Sequence, residues 1–176
     1  MLRIIGRLAF PIYCFALTQG YRYTGNMKNY FGRLAFLMVI SQIPYVLAFN
    51  TWTLNVIYTL FFAVLVLWLI DNTNWYVFLP VGMVLSCASE IGDYGIYGIV
   101  LVLLYKYTKG YQLLIGHMAL NIISWSVFDW SYIQLFSVLG TIVIMNVDKI
   151  RTIKVNRVIY RGFYPIHLFV LFLFKI

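Results

Sequence analysis

Charged residues are scarce in this chain. Asp, Glu, Lys and Arg make up 10% of its 176 residues, whereas a soluble domain contains about a quarter. Hydrophobic residues make up 63%, and the mean hydropathy is +0.87. These values exclude an ordinary soluble domain. They indicate a membrane protein, because lipid requires apolar helices of about 20 residues that satisfy their own backbone hydrogen bonds.

Cysteine and histidine are also scarce, with two residues of each. Cys14 and Cys87 fall inside apolar segments, so we interpret them as small core residues and expect no disulfide and no metal site. No P-loop is present. The first segment has two arginines before an apolar stretch but no clean cleavage site, so we interpret it as a membrane span and not as a signal peptide. The sequence predicts one integral-membrane helical domain, residues 1–176, with no nucleic-acid partner.

Eight apolar segments are bounded by clusters of Asn, Asp, Gly, Lys or Arg. They cover roughly residues 2 to 20, 29 to 49, 53 to 70, 74 to 89, 94 to 108, 111 to 127, 131 to 146 and 157 to 175. The predicted fold class is all-α, a polytopic transmembrane helical bundle of about eight spans. Residues 94 to 108 would reach only about 22 Å as a helix, so we expect the fourth to seventh spans to be tilted, kinked or partly re-entrant.

Basic residues predict the orientation of these spans. If the spans alternate, nine basic residues lie on one side and three on the other. The larger set is Arg22, Lys28, Arg33, Lys106, Lys109, Lys149, Arg151, Lys154 and Arg157. The positive-inside rule places this set in the cytoplasm and both termini outside, with most of the +8 net charge against anionic membrane lipids. Arg3 and Arg7 oppose this orientation, because alone they would hold the N-terminus inside.

The pentapeptide GRLAF occurs at residues 6–10 and again at 32–36. Its flanks do not repeat, so we interpret the duplication as coincidence. Arg7 lies about two turns into its span, where it either extends to the membrane surface or has a buried functional role. Arg33 lies about one turn from the cytoplasmic end, which favours extension to the surface, although it could also line the mouth of a cavity.

Polar residues form stripes on three of the later spans. His117, Asn121 and Ser124 share a face of the sixth span, and Gln134, Ser137 and Thr141 share a face of the seventh. Either face could join helices, and for the seventh span we prefer this interpretation. Arg157, Tyr160, Tyr164 and His167 share a face of the eighth. Each histidine is a candidate general base, with a hydrogen-bonded packing role as the alternative. Gln42, Asn55, Thr59, Glu90 and Asp93 gather near the predicted outer face.

Five stretches, in order along nearly the whole chain, resemble the TraX family of integral-membrane acetyltransferases, whose namesake acetylates the N-terminus of conjugative pilin. They are IGRLAFPI at 5 to 12, SQIPYVLAF at 41 to 49, LNVIYTLFFAVLVLWLID at 54 to 71, DYGIYGIVLVLLY at 93 to 105 and FYPIHLFVL at 163 to 171. DYGIYG and YPIH are the least expected from hydrophobic bias alone. The matched positions are Arg7, Pro11, Pro44, Asn55, Asp93, Tyr94, Gly95, Gly98, Tyr164, Pro165 and His167.

The resemblance implies transfer of an acetyl group from cytoplasmic acetyl-CoA to an amine at the membrane or its outer face, in the bacterial inner membrane, with a small pilin-like protein as a candidate acceptor. His167 is the expected base ahead of His117, and Glu90 or Asp93 would receive the cationic acceptor. The expected donor-binding residues are Arg157, Arg161, Arg33, Tyr160 and Tyr164. The expected acceptor-binding residues are Arg7, Asn55 and Asn121.

The chain also departs from the family pattern. Members usually begin with a helix carrying Asp-His-Ile-Gly, whereas this chain starts at the following helix, and members tend to have acidic residues where Gln42 and Val46 stand. The competing class is a noncatalytic membrane protein, either a small transporter or channel or an inactive relative that binds and interferes with a partner. Such a protein would use the same polar stripes as a permeation path or as contacts between helices. The sequence does not predict the oligomeric state.

Overall fold

A computed structural model describes residues 2–128, 132–146 and 157–174. This part of the chain is all-helical, which confirms the all-α part of the predicted fold class. Its eight α-helices are α1 (Leu2–Tyr23), α2 (Met27–Phe49), α3 (Val56–Asn72), α4 (Trp75–Ser89), α5 (Gly95–Tyr107), α6 (Gly110–Phe128), α7 (Ser137–Met145) and α8 (Arg157–Phe174). A 3₁₀ helix, Tyr132–Phe136, directly precedes α7. Each predicted apolar segment thus corresponds to one helix, with the seventh beginning as 3₁₀.

Only α2, within the described ranges, is long and apolar enough to cross a membrane by length and composition. The shorter apolar helices are Val56–Asn72, Trp75–Ser89, Gly95–Tyr107, Tyr132–Met145 and Gly162–Leu173. A helix of 13 residues such as α5 is about 20 Å long, against about 30 Å of hydrocarbon in a bilayer. The short segments anticipated from the sequence are therefore present, and the number of spans stays a prediction.

The chain divides into two compact units. The first contains α1, α5, α6, the 3₁₀ helix and α7, and here α1 packs on α7 while α6 contacts α7 and the 3₁₀ helix. At Gly140 the backbones of α7 and α1 approach closely, since an added Cβ would lie 2.8 Å from the Leu8 carbonyl oxygen and 3.3 Å from the Pro11 Cβ. The close approach at Gly140 fixes α1 against α7.

The second unit contains α2, α3, α4 and α8. α2 packs on α8 and α3, and α3 packs on α4. Its core lies along α3, where Leu60, Ala63, Val64 and Leu67 are buried. These residues form the continuous apolar surface that holds the neighbouring helices. The prediction of one integral-membrane domain over the whole chain stays a prediction.

Candidate functional site

A buried polar cluster lies in the first unit. It consists of Tyr97 and Tyr105 on α5, His117 and Asn121 on α6, and Ser137 and Thr141 on α7. Of these six side chains Tyr105 is the most exposed, at 8%. We name this set the His117 cluster. It joins the stripe of the sixth predicted span to that of the seventh, and the sequence analysis missed the two tyrosines of α5 that complete it.

Both ring nitrogens of His117 are held by hydroxyl groups. Nε2 lies 3.0 Å from the Tyr97 hydroxyl and 3.1 Å from the Ser137 Oγ. Nδ1 lies 2.6 Å from the Thr141 Oγ1, which in turn lies 2.7 Å from the Tyr105 hydroxyl. The imidazole therefore connects two pairs of hydroxyls, and its tautomer depends on which of them donate.

One arrangement of protons gives each of these groups a partner, with the 3.0 Å contact between the Tyr97 hydroxyl and His117 Nε2 left without a proton. Asn121 Nδ2 donates to the Ser137 Oγ at 3.2 Å, and the Tyr97 hydroxyl donates to Asn121 Oδ1 at 3.1 Å. The Ser137 hydroxyl is then available to donate to His117 Nε2, and His117 Nδ1–H donates to Thr141, which donates to Tyr105. In this arrangement Nε2 is the acceptor nitrogen, as a general base requires. If the hydrogen bonds run in the opposite direction, Tyr105 donates to Thr141 and Thr141 donates to His117 Nδ1. Nε2 then carries the ring proton.

Gln134 and Arg7 lie next to the His117 cluster. The Gln134 side chain lies near the Tyr97 hydroxyl, yet neither of its polar atoms reaches a described residue at hydrogen-bonding geometry, although the residue is only 3% exposed. The half-buried Arg7 lies near enough to act electrostatically on the same hydroxyl. Gln134 is therefore a buried amide held only by a loose contact with Tyr97.

Gln42 and Asn55 organise the second unit. The Asn55 Oδ1 accepts hydrogen bonds from the backbone N–H groups of Ile57 and Tyr58 and thereby caps α3. Its Nδ2 donates to the Met38 carbonyl and to Gln42 Oε1, both at 2.8 Å. The side chain is fully buried and uses both donors and both acceptor sites. The structure thus gives Asn55 a structural role in positioning α3.

The acidic residues Glu90 and Asp93 flank a short turn after α4. Leu54 bridges to this turn, accepting a hydrogen bond from the Asp93 N–H and donating to the Ile91 carbonyl, both at 3.1 Å. The exposed Asp93 side chain interacts with the Tyr45 hydroxyl. The Glu90 carboxylate lies against Gly95, the first residue of α5, whose φ of +45° favours glycine. A carboxylate there is favourable for the helix N-terminus.

His167 lies on α8 between two aromatic rings. Its ring stacks on Phe163, with centroids 5.4 Å apart, and meets Tyr164 edge-on at 5.2 Å. Its Nδ1 lies 3.1 Å from the Phe163 carbonyl oxygen. The Tyr164 hydroxyl accepts a hydrogen bond from the Val56 N–H at 3.3 Å, which ties α8 to the start of α3. The matched YPIH stretch therefore places its tyrosine and histidine in ring contact.

The structure describes the side chains of only some of the basic residues predicted to bind the donor. Arg33 is exposed on α2, with its guanidinium carbon 5.8 Å from the centre of the Tyr30 ring. Arg157, Tyr160 and Arg161 belong to α8, but their side chains lie outside the described part of the structure, as does the loop 147–156. Their predicted roles stay predictions. Within the described ranges no three metal-binding side chains gather at one place.

Comparison with known proteins gives the chain a family. The family model described as TraX protein matches residues 1–175, which confirms the resemblance carried by the motifs. A relative named "Probable fimbrial assembly protein FimC, serogroup H1", from Dichelobacter nodosus, is 35% identical over 116 residues, covering 58% of this chain and 47% of that protein. The chain therefore spans about half the length of that relative. No solved structure matches significantly. The chain belongs to the TraX family.

Proposed function

We propose that this chain is a membrane-embedded acetyltransferase that moves an acetyl group from cytoplasmic acetyl-CoA to an amine at the membrane or its outer face. Membership of the TraX family supports this function. The high hydropathy and the eight apolar segments support about eight spans in a bacterial inner membrane, with both termini outside. The name of the fimbrial relative supports a small pilin-like protein as the acceptor.

The observation that carries this proposal is the environment of His167. A backbone carbonyl can only accept, so the contact between Nδ1 and the Phe163 oxygen requires Nδ1 to donate. In the neutral ring, Nε2 then holds the lone pair. His167 is half-buried, so this nitrogen has a lone pair that a substrate can reach.

An amine acceptor needs such a base. At neutral pH an N-terminal or lysine amine is largely protonated, and it must lose a proton before its nitrogen can attack a thioester carbon. In the proposed reaction His167 Nε2 takes this proton. The carboxylates of Asp93 and Glu90 would hold the cationic amine before it reacts.

The proposed donor site uses the basic start of α8. The guanidinium groups of Arg157 and Arg161 would bind the phosphates of CoA through charge-assisted, bidentate hydrogen bonds. Arg33 is a further candidate, since it is exposed on α2. Tyr160 and Tyr164 would contact the thioester arm, as the eighth-span face predicts.

Two measurements on the detergent-purified chain test the proposal. Equilibrium dialysis with labelled acetyl-CoA measures donor binding, and a peptide with a free N-terminal amine measures transfer. We expect both, and we expect an N-terminally blocked peptide to receive nothing. A chain that neither binds acetyl-CoA nor acetylates the free peptide would contradict the proposal. It would favour the noncatalytic alternative, in which the buried polar groups only join helices.

A further inference from the structure

The His117 cluster pairs a hydroxyl with an imidazole. The Ser137 Oγ lies 3.1 Å from His117 Nε2, within the distance over which a histidine activates a serine. The Asn121 amide donates to the same Oγ at 3.2 Å, which leaves the serine hydroxyl able to donate to the ring when His117 Nδ1 carries the ring proton. On the far side of the ring Thr141 holds Nδ1 at 2.6 Å. Ser137 as nucleophile, His117 as base and Thr141 as the group that orients the base are therefore linked by consecutive hydrogen bonds.

We propose that Ser137 is a catalytic nucleophile that carries the acetyl group as an ester, with His117 as its base. This inference rests on the proposed function, because it names the covalent intermediate of the same transfer. The substrate class is an acyl thioester in the first step and an amine in the second. The reaction would therefore be of the double-displacement type, in which acetylated protein accumulates when no amine is present.

The acetyl group moves in two steps. In the first, the Ser137 Oγ attacks the thioester carbon while His117 Nε2 takes the hydroxyl proton; the carbon–sulfur bond breaks, and the proton passes to the leaving thiolate. In the second, the amine nitrogen attacks the ester carbon and loses a proton. The carbon–Oγ bond breaks, and the Oγ regains a proton. No oxidant, reductant or metal takes part.

Two neighbours suit the negative charge that develops on the acetyl oxygen. Gln134 belongs to the 3₁₀ helix that directly precedes Ser137, and its buried amide makes only a loose contact, with the Tyr97 hydroxyl. Arg7 supplies a positive charge near the Tyr97 hydroxyl. Donors and cations placed at a developing oxyanion are a large source of catalysis in acyl transfer.

The test is to trap the intermediate. The purified chain is incubated with acetyl-CoA labelled in the acetyl group, without amine, and is then quenched, digested and examined by mass spectrometry. We expect one acetyl ester, at Ser137, which alkaline hydroxylamine removes and which disappears when an amine peptide is added before quenching. Absence of label at Ser137, in a chain that transfers acetyl to the peptide, would overturn the inference and leave the proposed function intact.

Variants give a second readout. We expect Ser137→Ala to bind acetyl-CoA normally but to transfer at least about 1000-fold more slowly, and Ser137→Cys to keep the label as a thioester. Ser126→Ala is the matched control, because Ser126 is an exposed serine of α6 that bonds only to carbonyls of its own helix. Transfer by Ser137→Ala within about tenfold of the unaltered chain would overturn the inference. If that variant does not fold, the position of the label in the unaltered chain decides.

Discussion

Gln42 and Asn55 are joined by two hydrogen bonds to one oxygen: Gln42 Oε1 accepts from the Asn55 backbone N–H at 3.0 Å and from its Nδ2 at 2.8 Å. Gln42 Nε2 also donates to the Thr53 carbonyl at 3.0 Å. The glutamine therefore holds the residue that caps α3 in place. A carboxylate at position 42 can accept both bonds but cannot make the donation to Thr53.

This relationship predicts an ordered pair of variants. Gln42→Glu should change the free energy of unfolding by no more than about 1 kcal/mol, because only the bond to the exposed Thr53 region is lost. Gln42→Leu should lower it by about 2 to 4 kcal/mol, because two donors of Asn55 lose their acceptor. Thermal unfolding in detergent measures both. Gln112→Leu is the control, since Gln112 is exposed on α6; an equal loss in all three variants would contradict this account.

A second prediction concerns the contact of α7 with α1. Gly140→Ala should destabilise the chain by about 1 to 3 kcal/mol, because the new Cβ would meet the Leu8 carbonyl and the Pro11 ring, and backbone cannot move aside as a flexible side chain can. Gly32 is the matched control: it lies in α2 with nothing within 4 Å of an added Cβ. Gly32→Ala should stabilise the helix by about 0.5 to 1 kcal/mol. Thermal unfolding that ranks the two variants in the opposite order would refute the close approach.

The helices could be predicted from the sequence because each apolar run ends at polar or glycine residues. The third was predicted to begin at 53, whereas α3 begins at Val56, because Asn55 is its cap. The 3₁₀ start of the seventh segment was not predicted. Over five residues the spacing of apolar positions does not distinguish three residues per turn from 3.6.

The His117 cluster could be predicted only in part. The sequence shows that His117 and Asn121 share a face of one helix, and Ser137 and Thr141 a face of another. It does not show which faces meet, because that depends on packing between distant segments. Tyr97 is part of the DYGIYG stretch, so the motif that marked the family also contained a signal for this missed residue.

A third prediction concerns topology. Reporter domains fused within residues 146 to 156 should report the cytoplasm, and reporters at either terminus should report the outside. The reason is the nine basic residues on one side against three on the other. Alkaline phosphatase and green fluorescent protein fusions measure the two locations. A cytoplasmic N-terminus with an external C-terminus would require an odd number of spans and would refute the eight-span topology.

A fourth prediction concerns the donor site. Replacing Arg157 and Arg161 together with Gln should weaken acetyl-CoA binding at least about 100-fold, since each charge-assisted phosphate contact contributes about 1.5 to 3 kcal/mol. Lys28→Gln removes an exposed basic residue of α2 and should leave binding unchanged. Equilibrium dialysis measures the dissociation constants. Unchanged binding in the double variant would move the donor site elsewhere, with Lys106 and Lys109 as the next candidates.

The last prediction separates the two histidines by the step that each serves. His117→Gln should abolish both the acetyl label on Ser137 and transfer to the amine, because glutamine can hydrogen-bond but cannot take the serine proton near neutral pH. His167→Gln should keep acetyl-CoA binding and the label on Ser137 but abolish transfer, because the acceptor amine stays protonated, and His167→Ala should behave alike. Raising the pH, which deprotonates the amine without a base, should partly restore transfer by the His167 variants and not by His117→Gln. If His167→Gln transfers normally, the bond from Nδ1 to Phe163 is structural only, and the base for the amine must be His117.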